Sequence, residues 1–121
     1  MTRILLAEDD IEIGKVLIDN LEDQGYTVDY SPDGLDALKK IENIKYDLLI
    51  TDVKMPKMDG LELLENVRKG KLTSTIPVLI ISGYLSLKEV KKILENGKTL
   101  FLPKPIQFND LNQNINMLLE P

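Results

Sequence analysis

Five short apolar runs, Ile4 to Ala7, Tyr26 to Tyr30, Leu48 to Ile50, Val78 to Ile81 and Leu100 to Leu102, recur along the chain with amphipathic stretches between them. Runs such as Ile4 to Ala7, Leu48 to Ile50 and Val78 to Ile81 are apolar at every position, which fits strands covered on both faces in a parallel sheet and not strands with one wet face. The second run is more polar, as suits an edge. Between the runs, Ile13, Val16, Leu17 and Leu21 stand at helical spacing within Asp10 to Gln24, ahead of the stop signal Gly25. Leu35, Leu38 and Ile41 do the same within Asp33 to Asn43, and Leu61, Leu64 and Val67 within Asp59 to Lys69, ahead of Gly70. Ser86-Leu87-Lys88-Glu89 has the form of a capping box, opening a helix through Leu87, Val90 and Leu94 that stops at Asn96-Gly97. Leu111, Ile115, Leu118 and Leu119 make the last stripe.

Strict alternation of strand and helix with short loops predicts an α/β fold, a flavodoxin-like (βα)5 doubly wound parallel sheet with strand order 2-1-3-4-5. In that order the chain reverses direction between the first and third strands. Ligands favour the crevice beyond the carboxyl ends of the strands at such a switch point. With 121 residues, no internal repeat and no Pro-, Gly- or Ser-rich linker, residues 1–121 are expected to form one domain.

Composition narrows the chemistry. No cysteine and no histidine are present, so thiolate metal sites, disulfides and imidazole acid/base catalysis are excluded, leaving carboxylates, hydroxyls and amines. A net charge of −5, from 20 acidic and 15 basic residues, argues against direct nucleic-acid binding, which needs clustered Lys and Arg. No apolar run approaches the ~20 residues of a membrane span. The start Met1-Thr2-Arg3-Ile4 lacks a signal-peptide layout, so a cytoplasmic protein without membrane contact is expected.

Glu8-Asp9-Asp10 ends the first strand and Asp52 ends the third, so four carboxylates should converge on the crevice. Such a crowd is stable only with a cation among it, and hard oxygen ligands at a partly hydrated site suit Mg²⁺, with Mn²⁺ as a substitute. Asp10 is read as the cap of the first helix, and Glu8, Asp9 and Asp52 as the metal site. Asp52, delivered by a buried strand, can act as a nucleophile that takes a phosphoryl group, provided the cation and a basic side chain offset the charge. Lys104 is that base. A lone lysine is ordinarily a solvated charge, but here prolines flank it at a strand end, and Pro105 after it biases it to an extended conformation. Ser82, ending the fourth strand, offers a hydroxyl to a phosphoryl oxygen. The loop Lys54 to Gly60 shapes the site, with Asp59 and Glu62 spaced to cap the third helix.

Glu8-Asp9, Asp52 with Met55-Pro56 and Asp59-Gly60, Ser82, and Lys104-Pro105 together resemble the receiver domain of bacterial two-component response regulators, over essentially the whole chain. The resemblance implies that Asp52 is phosphorylated from the phosphohistidine of a sensor histidine kinase or phosphotransfer protein. It also implies that Glu8, Asp9, Asp52 and the Lys54 backbone carbonyl arrange the metal, and that Lys104 and Ser82 bind phosphoryl oxygens. Ser82 and Phe101 would then act as a switch that remodels the face built from the fourth helix, fifth strand and fifth helix. That face would serve a downstream effector, a fused output domain or a phosphorylation-dependent dimer. Phe101 stands where the family often has tyrosine, and Gly83, Lys98 and Thr99 depart from its commoner small residues. Lys54 and Tyr84 occupy positions that tune phosphoryl lifetime in the family.

Three other readings fit the fold. An aspartyl-nucleophile phosphatase would usually carry a second acid two residues after the nucleophile, where this chain has Lys54. A flavin binder would need Gly, Ser and Thr after the first strand, where this chain is acidic. A receiver-shaped interaction module without phosphorylation is opposed by the filling of every site position. As a phosphoacceptor the chain is not an enzyme in the turnover sense. Both a stand-alone receiver acting by binding and the N-terminal part of a longer regulator agree with the sequence, the former being preferred.

Overall fold

Burial follows the sequence pattern closely. Strands β3 (Leu48–Asp52) and β4 (Val78–Ser82) are buried at every residue, and β1 (Arg3–Ala7) at all but Arg3. On the flanks, β2 (Thr27–Ser31) is half-buried until Ser31, and β5 (Thr99–Pro103) is buried only at Thr99 and Leu102. All pairings are parallel and the order is β2-β1-β3-β4-β5, the expected flavodoxin-like (βα)5 arrangement. The structure, a computed structural model, describes residues 1–120; Pro121, the last residue of the expected domain, lies outside the described residues.

Because side chains alternate across a strand, the sheet feeds two cores. Leu5, Ala7, Leu49, Val78 and Ile80 face helices α2 (Gly34–Asn43), α3 (Gly60–Lys69) and α4 (Leu87–Leu94). Ile4, Leu6, Leu48, Ile50, Leu79 and Ile81 face α1 (Ile11–Asp23) and α5 (Phe108–Leu119). Each fully buried Leu or Ile contributes roughly 1.5–3 kcal/mol of transfer free energy, so the fold rests on these two layers. Among the described residues, no helix is long and apolar enough to cross a membrane.

The helix starts match the sequence signals. Asp10 Oδ1 accepts from the amides of Glu12 and Ile13 at 3.0 and 3.2 Å, Asp59 Oδ1 from those of Leu61 and Glu62, both at 2.9 Å. Ser86 and Glu89 exchange the reciprocal bonds of a capping box. The faces match less well. Val16, Leu35, Leu87 and Leu94, expected on buried stripes, are exposed. On α1 the inward line is Gly14, Leu17 and Leu21, on α2 it is Gly34, Ala37 and Ile41, and α4 buries only Ile93. Leu17, Leu21 and Ile41 keep their expected inward positions, while Gly14, Ala37 and Ile93 take inner places that the apolar spacing assigns to bulkier or neighbouring residues.

Arg68, near the end of α3, ties loops at the amino ends of the strands. Its guanidinium donates to the carbonyls of Ser74 and Ile76 before β4, of Asn96 and Lys98 after α4, and to Thr99 Oγ1, over 2.6–3.3 Å. Burial lowers its pKa, and these neutral oxygens take up its donors.

At the opposite end, the loop after β3 folds back on its own strand: the Gly60 amide donates to Val53 O at 2.8 Å. A Cβ at Gly60 would stand 2.1 Å from the Asp52 carbonyl oxygen. Gly60→Ala is therefore expected to destabilise the fold by roughly 1–3 kcal/mol through forced displacement of backbone, seen as a lower urea midpoint with an unchanged slope. In the same loop Lys57 has φ of 69°, a left-handed conformation costing a side chain roughly 1–2 kcal/mol. Its ion pair with Asp33 spans 3.7 Å and its side chain is 65% exposed, so little is lost with it. Lys57→Gly should raise Tm by about 4 °C in a thermal melt.

Candidate functional site

Register builds the site. Ala7 pairs with Thr51 across β1 and β3, so Glu8 and Asp52 emerge one residue further along as neighbours on the rim. Ser31 pairs with Ala7 on one side, and the Glu8 amide donates to Ser31 O at 3.0 Å, extending the ladder past the strand end. Across β4 and β5, Ser82 pairs with Pro103, and the Lys104 amide donates to Ser82 O at 2.9 Å. Lys104 is thereby delivered over the same rim, with a cis peptide bond to Pro105.

Oxygens of Glu8, Asp9 and Asp52 all lie within 4.8 Å of one another. Glu8 and Asp52 are buried, at 2% and 7% exposure, and Asp9 is exposed. Lys104 Nζ sits 2.6 Å from Asp52 Oδ2 and 3.6 Å from Glu8 Oε1. The other Asp52 oxygen, Oδ1, accepts from the Val53 amide at 2.7 Å. The three carboxylates bring hard oxygens into one cluster, a donor set that suits a divalent ion such as Mg²⁺.

The charges leave their mark. Burial pushes the Glu8 carboxyl up to about 7; the Asp10 amide and Lys104 pull it down, and the Asp52 charge pushes it further up. Burial alone would lower the Lys104 pKa, but its hydrogen bond to Asp52 and the charges of Asp52 and Glu8 outweigh that and raise it. One ammonium thus serves two carboxylates and leaves the third uncompensated.

Not every expected residue converges. The Ser82 hydroxyl, although buried beside the site, is engaged in its own turn, donating to Tyr84 O at 2.9 Å and accepting from the Tyr84 amide at 3.3 Å. Phe101 packs, half-buried, against the core shared with α2, α3 and α4. Lys54 is exposed at the start of the loop after Asp52. Sequence reasoning missed Tyr30, whose hydroxyl donates to the Glu8 carbonyl; a glycine in the middle of α1, at Gly14, was the available signal.

Residues 4–116 match the family model described as the response regulator receiver domain. The chain is 36% identical to the transcriptional regulatory protein CpxR homolog of Haemophilus influenzae, covering 98% of this chain and 51% of that protein. It is 34% identical to response regulator MprA of Mycobacterium ulcerans, covering 97% and 50%. The chain thus spans about half the length of these regulators. Among solved structures, the CheY-like response regulator receiver domain protein of Methanospirillum hungatei JF-1 superposes with a TM-score of 0.90 at 34% identity, covering 98% of this chain and 94% of that one. Chemotaxis protein CheY4 of Vibrio cholerae gives 0.90 at 30% identity, covering 98% and 99%. With its topology, its acidic rim and these likenesses, the chain belongs to the family of response regulator receiver domains.

Proposed function

We propose that the domain is the phosphoacceptor of a two-component relay, with Asp52 taking the phosphoryl group from the phosphohistidine of a sensor histidine kinase or phosphotransfer protein. The observation that carries this reading is the Asp52 carboxylate itself, held by Lys104 at 2.6 Å and by the Val53 amide at 2.7 Å, within 4.8 Å of Glu8 and Asp9 oxygens. An Asp52 oxygen attacks phosphorus, the O–P bond forms as the N–P bond to imidazole breaks, and the freed imidazole takes a proton from solvent. Fixing the carboxylate from two sides removes orientational freedom before the donor arrives.

Glu8, Asp9, Asp52 and the Lys54 backbone carbonyl would hold Mg²⁺ or Mn²⁺, which supplies positive charge to the transferred oxygens. Lys104 leaves the carboxylate and follows the negative charge to a phosphoryl oxygen. Ser82 exchanges its bond to Tyr84 for another phosphoryl oxygen, and Phe101 packs deeper. The outcome is a population shift of the face made by α4, β5 and α5, read by an effector protein, an attached output domain or a second phosphorylated copy. The domain stores the phosphoryl group as a signal, at most assisting its own phosphorylation and dephosphorylation. With a net charge of −5 it leaves nucleic-acid contact to others. This action belongs in the cytoplasm, where the kinase donors work.

Asp52→Asn is expected to abolish labelling by a small acyl phosphate while the protein stays folded by circular dichroism; label retained on the variant would assign the acceptor elsewhere. Mg²⁺ with beryllofluoride, at a hundred times the dissociation constant, should stabilise the wild type by about 2.7 kcal/mol, and calorimetry of Asp52→Asn should show that gain lost.

A further inference from the structure

Tyr30 stands at the end of the edge strand β2, twenty-two residues from Glu8, yet its hydroxyl donates to the Glu8 backbone carbonyl. The amide of the same residue donates to Ser31 O at 3.0 Å. Both backbone polar groups of Glu8 are therefore tied to consecutive residues of β2. The carbonyl that Tyr30 holds belongs to the peptide unit joining Glu8 to Asp9, so fixing that plane fixes the bases of two acidic side chains at once.

The path of the phenol ring is built in. A glycine inside a helix costs roughly 0.5–1 kcal/mol relative to alanine, and α1 carries one at Gly14, where an added Cβ would meet Tyr30 Cε1 at 2.8 Å. Lys40 donates its ammonium to the Tyr30 carbonyl, holding the tyrosine from the α2 side. Helix, strand and helix thus converge to place one hydroxyl on one carbonyl.

We propose that Tyr30 is a positioning residue for the divalent metal site: by holding the Glu8–Asp9 peptide, it keeps two mutually repelling carboxylates aimed at one point. The inference rests on the metal site proposed above. Partners that orient metal ligands from outside commonly matter by about 10–100-fold in affinity. Tyr30→Phe removes a single oxygen and leaves the ring over Gly14.

Isothermal titration of the purified chain with MgCl2 tests it, alongside a melt in metal-free buffer. Tyr30→Phe should weaken Mg²⁺ binding about tenfold. Gly14→Ala, which shifts the ring, should weaken binding when Tyr30 is present and add little in the Tyr30→Phe background. An affinity for Tyr30→Phe within twofold of wild type, whatever its Tm, would overturn the proposal and leave the metal site standing. Equal losses from Gly14→Ala in both backgrounds would also overturn it, since the ring would then act without its hydroxyl. A folded wild type that binds no Mg²⁺ would remove the metal reading itself, and this inference with it.

Discussion

Negative charge gathered at one rim of an apolar sheet is the constraint around which the rest is arranged. Parallel pairing of β1 and β3 places Glu8 beside Asp52 whether or not the two repel, because the register is fixed by Leu5, Leu6, Leu49 and Ile50 in the cores below. Hydrophobic burial enforces the crowding; only then does Lys104, carried in from β5, relieve part of it. Burial, with the Asp52 charge added to it, keeps the Glu8 pKa raised. Such a site sets one ammonium against three carboxylates, an imbalance that a divalent ion would offset.

Much of this was legible in the residues because a parallel sheet turns sequence position into location. Once Asp9, Asp52, Ser82 and Lys104 are recognised as strand ends, topology alone brings them to one side. The helix caps were equally readable, since Asp10, Asp59 and Ser86 act within three residues of themselves. Val16, Leu35, Leu87 and Leu94 were misplaced for a different reason: periodicity identifies a stripe, but which stripe faces inward depends on the shape of the sheet beneath. Ala37 and Gly14 look unremarkable on a hydropathy scale, yet both lie on the buried faces of their helices.

Side-chain direction at the rim was harder still. Ser82 lies where expected but spends its hydroxyl on the Tyr84 turn, a choice between local and distant partners that spacing does not encode. Tyr30 reaches Glu8 only because β2 is hydrogen-bonded to β1 with Tyr30 opposite Leu6, a register that requires the assembled sheet. Arg68 likewise has no local signature, since its acceptors are loop carbonyls that come together after folding.

The Arg68 clasp has a mechanical consequence for α4. The loop leaving that helix is stapled through Asn96, Lys98 and Thr99, and its one buried residue, Ile93, sits near the same end. Its first turn, by contrast, opens on Leu87, 90% exposed, behind a short turn hung on the Ser82 hydroxyl. One guanidinium therefore anchors the tail of α4 to the loop before β4, while the head of the helix is held by its own capping box and by the turn that the Ser82 hydroxyl closes.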